Sequence, residues 1–427
     1  MGSKGSNQLI IGIDPIETLS ISDADPSITL DKFESLFNGN LPVIFTLSYD
    51  LGMKLQRLKP SRKNYSSEPD LFAATFDSLI VHDYQTTETD IVGNGGKCAK
   101  FSKRLKESIS NFRSEISNSL SDISNIRSEI SNSESSFRSN FTKLEYLAAI
   151  ENIKERIRRG DTYQTNLTQQ LTAELPSELT PQQIFWRLRS QHPAPFSAFI
   201  DRGDSTVISA SPELFFRIES GGRIVASPIK GTRPRGGNEF DDNKLRDELL
   251  NSKKDLAENT MIVDLLRNDL GRVCEFGSVD VERLCEIEEH PSLFHLVSTI
   301  TGILRSDAKT FNIIQALFPC GSITGAPKIS TMRIIDEIEP TRRGLSMGSI
   351  GCYLPSGFVG DESRLDPRLE LSVAIRTMVI RDRTTTFNVG GGIVIDSDPE
   401  SEYAETLTKA TSLLDAIGGN KADLGGV

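Results

Sequence analysis

Cysteine is scarce and unpatterned: Cys98, Cys274, Cys285, Cys320 and Cys352 are the only five in 427 residues, and no two make a CxxC pair. That spacing gives no thiolate metal site and no disulfide framework, so reduced thiols in a cytoplasmic protein are expected. No apolar run is long enough to span a bilayer and no signal peptide is visible, so no membrane partner is expected. The opening Met1-Gly-Ser-Lys-Gly-Ser6 fits a loose myristoylation pattern, but no polybasic patch accompanies it. Positive charge is also short: 48 Lys+Arg face 59 Asp+Glu, a net charge of −11. Without a basic block, nucleic acid is excluded as the main partner. No Gly-rich phosphate loop of the dinucleotide or Walker type follows a strand.

The chain does hold enough apolar content, 37%, to bury a large core in one big domain or two closely packed ones. Pro42–Tyr49 and Leu71–Val81 read as buried strands. Residues 102–140 are rich in Ser, Asn, Ile and Glu, and Arg-Ser-Glu-Ile-Ser-Asn-Ser occurs at 113–119 and again at 127–133. Ile116, Ile123 and Ile130 keep a heptad register, yet so much serine favours a solvated insertion or linker. Beyond it, Leu144–Arg159 has the period of an amphipathic helix closed by Gly160. Thr206–Ile218, Arg223–Ile229, Leu371–Ile380 and Thr385–Val394 read as strands, Lys244–Leu270 and Pro327–Ile338 as helices. Hairpins mixed with separate helices predict an α+β fold with extensive antiparallel sheets. The organisation expected is a strand-rich region at 1–101, the Ser-rich segment at 102–140 and a catalytic region at 141–420.

The richest stretch chemically is Ala226-Ser-Pro-Ile-Lys-Gly-Thr-Arg-Pro-Arg235, where Lys230 sits on backbone stiffened by two prolines. An amine held there is either a nucleophile or, with Arg233 and Arg235, part of an anion-binding turn. A two-residue turn at Gly221-Gly222 would pair residues whose numbers sum to 443. Glu213 would then lie opposite Lys230, about 5 Å away at Cβ, as an acid or as a cross-strand ion pair. Asp255 and Glu258 share one helix face, as do Glu402 and Glu405. If the two pairs meet, four carboxylates need a hard cation such as Mg²⁺; taken singly each is a wet helix face. Gly390, Gly391 and Gly392 end a strand with bare N–H groups suited to a carboxylate, and Lys409 lies one turn beyond Glu405. Arg376, in an apolar strand, needs an internal anion or a substrate carboxylate, and His295 is one of four histidines.

Several further segments occur in order: Tyr163-Gln-Thr-Asn-Leu167, Ser209-Ala-Ser-Pro-Glu-Leu-Phe215, the Lys230 stretch and Glu258-Asn-Thr-Met-Ile-Val-Asp-Leu-Leu-Arg-Asn-Asp269. Phe318-Pro-Cys-Gly-Ser-Ile-Thr-Gly-Ala-Pro-Lys328, Ala374-Ile-Arg-Thr377 and Val389-Gly-Gly-Gly-Ile-Val394 follow. Together, from about Thr142 to Ala416, they resemble the chorismate-utilising enzymes, nearest the aminodeoxychorismate-forming branch, with the anthranilate-forming branch as its close relative. The resemblance implies a large two-domain α/β sandwich with one chorismate site between its sheets. It implies Glu258 and Glu405 as Mg²⁺ ligands, with Asp255 and Glu402 behind them holding waters. Arg376 and Tyr353 would grip the enolpyruvyl carboxylate, and Gly390–Gly392 with Lys409 the ring carboxylate. Thr324 and His295 would lie near the ring and its leaving group, and Glu213 would protonate the departing hydroxyl.

Two positions discriminate between reactions. Gln164 stands where water-using relatives are expected to carry a lysine base, which implies ammonia as the nucleophile. Lys230 stands where anthranilate-forming enzymes usually carry alanine, which implies a covalent lysine intermediate and amination at carbon 4. No Gly-x-Cys-x-Gly nucleophile elbow is present, so the ammonia is expected from a separate glutamine amidotransferase subunit. No Leu-Leu-Glu-Ser motif of tryptophan-inhibited relatives is found, the N-terminal region looks short, and residues 102–140 have no counterpart in the family. A noncatalytic relative would be expected to lose acidic positions, and all four are present.

Overall fold

The computed structural model describes residues 8–60, 68–93, 102–104, 137–290, 293–356, 358 and 368–419. The heptad isoleucines of the Ser-rich segment, and Cys98, lie outside the described residues.

Two large antiparallel sheets face each other. The seven-stranded sheet runs Gly325–Ala326, Gln164–Glu174, Thr384–Ile393, Thr377–Arg381, Thr206–Ser211, Phe196–Asp201, with Arg138–Ser139 paired beside Gln164–Glu174. In the ten-stranded sheet, Arg223–Ser227 and Ile229–Pro234 lie end to end along Leu293–Ile303, whose other edge holds Asp280–Glu289. It continues through Leu214–Ile218, Arg368–Val373, Ser349–Leu354, Val43–Leu47, Leu71–Thr75 and Glu17–Ile21. Gln8–Gly12, Ser78–Asp83 and Glu88–Gly93 form a small third sheet. Strands from the first hundred residues therefore pair directly with strands from the last hundred.

Helices cover the outer faces. Pro26–Phe37, Tyr49–Leu55, Lys253–Gly271 and Thr310–Leu317 bury Phe33, Leu51, Ile262, Leu266 and Ile314 with Phe45 and Phe216 of the ten-stranded sheet. Pro181–Gln191 and Pro399–Ala416 pack Leu188 and Leu413 on Phe387 and Met378 of the other sheet. Between the sheets lie Ile350, Leu354, Val207, Val379 and Ala374. Strand parity explains this layering: in Thr384–Ile393 the apolar Phe387 and Val389 point to the helices, leaving Thr386, Asn388, Gly390 and Gly392 on the opposite face.

Besides Arg223–Ile229, interrupted at Pro228, four of the expected elements are broken, and the breaks at Pro212, Pro228 and Arg376 border the site. Thr206–Ile218 is two strands, Thr206–Ser211 in one sheet and Leu214–Ile218 in the other, because Pro212 cannot donate to a ladder. Leu371–Ile380 crosses back the same way, turning at Arg376 with φ 48°. The crossings lie side by side: Ser211 Oγ donates to Val373 O (2.6 Å), Val373 N to Glu213 O (3.1 Å) and Ala210 N to Arg376 O (3.0 Å). Lys244–Leu270 divides into Glu239–Leu250 and Lys253–Gly271, the second capped by Ser252 Oγ, which accepts from Asp255 N (3.3 Å). Leu71–Val81 likewise divides, Leu71–Thr75 joining the large sheet and Ser78–Asp83 the small one. The strand expected at Pro42–Tyr49 ends at Leu47, since Ser48 caps a helix there. Leu144–Arg159 is helical as expected over Lys143–Arg158, opened by a Thr142/Glu145 capping box.

Candidate active site

Lys230 occupies a β-bulge: Ile229 pairs with Val297 and Thr232 with His295, so two residues intervene on one strand where only Leu296 does on the other. Gly231 takes φ 87°, and a Cβ there would stand 2.8 Å from Leu249 Cδ1 and 3.0 Å from Asp255 Cβ. The bulge turns Lys230 so that its Nζ donates to the carbonyl of Ser322 (2.8 Å). Gly231→Ala should therefore destabilise the fold by about 1–3 kcal/mol and lower turnover as well. Urea unfolding checks the first effect, and an unchanged midpoint would refute the strain.

The expected register does not occur. The hairpin pairs Leu214 with Ser227 and Ile218 with Ile224, and Glu213 and Lys230 face no common ladder. Pro212 and Pro228 end both strands short of that pairing, and a bulge near Phe215 shifts the rest. The two side chains nevertheless converge across the sheet crossing. Glu213 is buried, and burial pushes its carboxyl up, while the Lys230 charge, the Ser322 hydroxyl and the Ile229 backbone pull it down. Glu213 Oε1 is buried without a hydrogen-bond partner.

The two acidic helix faces meet at the same place. Burial raises Glu258 above the usual carboxylate range against the pull of Lys230 and Lys254, and its Oε1 is buried without a hydrogen bond. Across from it, Glu405 is held low despite partial burial, by Lys409 (2.8 Å), Lys254 and Lys230. Asp255 and Glu402 are already matched: Arg233 Nη2 stands 3.2 Å from Asp255 Oδ2, and Lys254 Nζ stands 2.7 Å from Glu402 Oε1. Ser397 Oγ also donates to Glu402 (2.7 Å). The glycine run lies among them. A Cβ on Gly392 would collide with Gln164 Nε2 and stand 3.5 Å from Glu258 Oε2; at Gly391 the nearest side chains are Glu402 and Lys409. Lys409 Nζ donates to Gly390 O (3.1 Å), and Gln164 Oε1 is buried with no partner.

Among the described residues no three His, Cys, Asp or Glu side chains converge as a ready-made metal cluster. A hard, hydrated cation needs only one or two carboxylates with waters, and the unpartnered buried oxygen of Glu258, on the helix face that meets Glu402, fits that demand.

On the other side of Lys230, His295 Nδ1 lies 2.9 Å from Thr232 Oγ1. Burial, His290 and Arg376 push the His295 imidazole down to about 3, so it is neutral near pH 7 and acts as a hydrogen-bonding group, not as a cation. Arg376 is lowered by burial, and among the described residues no carboxylate pairs with it. Thr324 is buried, its hydroxyl donating to Cys320 O (2.9 Å), its carbonyl accepting from Asn166 N (2.8 Å). Tyr353 is not joined to Arg376. Its ring packs on Phe37 (centroids 4.4 Å) in the helix-side core, and strand alternation turns Cys352 toward the inter-sheet layer instead.

Sequence reasoning passed over Lys254 and Ser322, and named Arg233 only as part of an anion-binding turn without its partner Asp255. Lys254 had a readable signal: it lies four residues before Glu258 and so shares its helix face. Ser322 and Arg233 had none, because each matters through a contact distant in sequence. A cavity of about 430 Å³ opens beside Gln170, Arg342, Arg381 and Thr386, and none of the residues expected at the site lines it.

The profile of the chorismate binding enzyme family matches residues 3–415. A Bacillus subtilis aminodeoxychorismate synthase component 1 is 34% identical over 441 aligned positions, covering 97% of this chain and 90% of the relative. A Haloarcula marismortui anthranilate synthase component 1 is 43% identical over 294, covering 68% of this chain and only 58% of the relative. The crystal structure of anthranilate synthase component I from Streptococcus pneumoniae TIGR4 superimposes with a TM-score of 0.75 at 26% identity, covering 95% of this chain and 92% of that one. Motif order, fold and profile agree, and the chain belongs to the chorismate binding enzyme family.

Proposed function

We propose that this chain aminates chorismate at carbon 4 with ammonia, releasing water and retaining the enolpyruvyl group, through a covalent intermediate on Lys230. The observation that carries the reading is the amine of Lys230, held by Ser322 O and within electrostatic reach of Glu213, Glu258 and Glu405. The reactive form is the free amine of Lys230 beside the carboxylic acid of Glu213. The amine adds to carbon 2, the two conjugated ring double bonds shift, and the carbon 4 hydroxyl leaves with the proton of Glu213 as water. The Glu213 carboxylate takes the extra proton of the alkylated amine. Ammonia then forms a bond to carbon 4, both double bonds return, and the bond from carbon 2 to Lys230 breaks. Glu213 passes a proton to the departing amine and takes one from the new ammonium.

Arg376 binds and orients one substrate carboxylate, the lack of an acidic partner among the described residues supporting that role. Gly391, Gly392 and Lys409 lie where the other carboxylate would rest beside the acidic residues. Glu258 and Glu405 would hold Mg²⁺, which when bound polarises that carboxylate. Asp255 and Glu402, fixed by Arg233 and Lys254, would orient its waters. Gln164 cannot act as a base for water, which leaves ammonia as the nucleophile, delivered by a separate glutamine amidotransferase.

Incubation with chorismate, Mg²⁺ and ammonium tests the reading. The expected product is 4-amino-4-deoxychorismate with no pyruvate released. Anthranilate with free pyruvate would overturn it in favour of the second reading, anthranilate formation, which the Haloarcula and Streptococcus relatives support.

A further inference from the structure

One buried ion pair outside this set stands where the site needs its geometry fixed. Strand Gln164–Glu174 is paired along one edge with Thr384–Ile393. Its other edge has only fragments: Gly325–Ala326 opposite Thr165 and Gln164, and Arg138–Ser139 opposite Thr172 and Leu171. Between these fragments no strand among the described residues covers Asn166 to Thr168, and Glu339 and Arg343 take its place. Arg343 Nη2 donates to Asn166 O (2.6 Å) and Nη1 to Ile323 O (2.9 Å), while Nε and Nη2 bind the Glu339 carboxylate (2.9 and 2.7 Å). Glu339 Oε1 accepts in turn from Thr168 N (2.7 Å) and Thr168 Oγ1 (2.9 Å). The guanidinium stacks 4.6 Å from the Tyr49 ring centroid, and side-chain exposure is 1% for Arg343 and 4% for Glu339.

A pair so fully desolvated gains little stability over an apolar pair of equal volume. What an apolar pair cannot supply is the set of directed bonds to two separate chain segments. One segment carries Gln164, whose amide lies against Gly392, which also neighbours Glu258. The other, Gly321–Ala326, carries Thr324 and borders Ser322, whose carbonyl receives Lys230. We infer that Glu339 and Arg343 are positioning residues that set the spacing between Gln164 and the Ser322–Thr324 turn, and through it the aim of Lys230. The inference takes its reaction from the amination reading above, but the coupling of the two segments stands apart from it.

Arg343→Lys keeps the charge beside Glu339 but cannot reach both carbonyls at once. Glu339→Met with Arg343→Met removes the pair without leaving a buried lone charge. Both variants are expected to fold, the double-methionine chain melting lower because Thr168 N, Asn166 O and Ile323 O lose their partners. Both should lose kcat on the order of a hundredfold, with KM for chorismate changed far less, and amide hydrogen exchange should rise together in residues 164–168 and 321–326. Folded variants that keep kcat within about twofold, or whose exchange is unchanged in either segment, would overturn the inference. A wild-type chain inert toward chorismate and ammonium would instead sink the amination reading, and exchange alone would then decide the coupling.

Discussion

Lys230→Ala is expected to end amination at carbon 4 and, where turnover survives, to divert it to carbon 2 with release of pyruvate. The shift follows from what the side chain contributes. With the amine present, carbon 2 is occupied while the carbon 4 hydroxyl leaves, so ammonia can enter only at carbon 4. Without it, ammonia can attack carbon 2 directly. The loss of 4-amino-4-deoxychorismate should exceed a thousandfold, since the whole covalent route depends on one nucleophile. Product chromatography with a pyruvate assay reads both halves. The fold should tolerate the change, because Lys230 lies on a half-buried bulge and among the described residues its amine donates only to Ser322 O. Mass spectrometry of the wild-type chain with chorismate, Mg²⁺ and no ammonia should show an adduct on Lys230, absent from the variant. Unaltered product from Lys230→Ala would end the proposal for this residue.

The fold class and the helix at Lys143–Arg158 were legible, and the candidate site residues could be named, because each depends on local spacing or on a contiguous motif. The sheet crossings were not. Thr206–Ile218 alternates like one strand, and nothing local says that its halves enter different sheets; only Pro212 hints at the break. Pairing arithmetic placed Glu213 beside Lys230 for a wrong reason. Both residues do reach Ser322, but through a crossing and a bulge, neither of which a two-residue turn rule describes. Tyr353 failed by a single residue, the smallest error that moves a strand side chain to the opposite face. Lys254 and Arg233 show the limit of reading acidic pairs alone: an i,i+3 pair reveals shared direction, but not which carboxylates already have a cation.

Glu258→Gln should lose activity and gain stability at once. The carboxyl of Glu258 is raised mainly by burial, so the folded chain holds its proton to a higher pH than the unfolded chain does. Its contribution is therefore fully favourable below the unfolded value, near 4.3, and is lost as pH rises through the folded one. At neutral pH the native state carries that penalty, and glutamine removes it. Without added metal the variant should melt about 1–2 °C above wild type at pH 7.5, and the difference should vanish near pH 4. Mg²⁺ binding followed by calorimetry should weaken sharply, and turnover should fall on the order of a thousandfold. The opposite signs separate a ligand position from a structural one. A structural glutamate would lose stability with activity, whereas a site held for a cation is under strain until the cation arrives. A lower melting temperature at pH 7.5 together with unchanged Mg²⁺ binding would remove Glu258 from the ligand set.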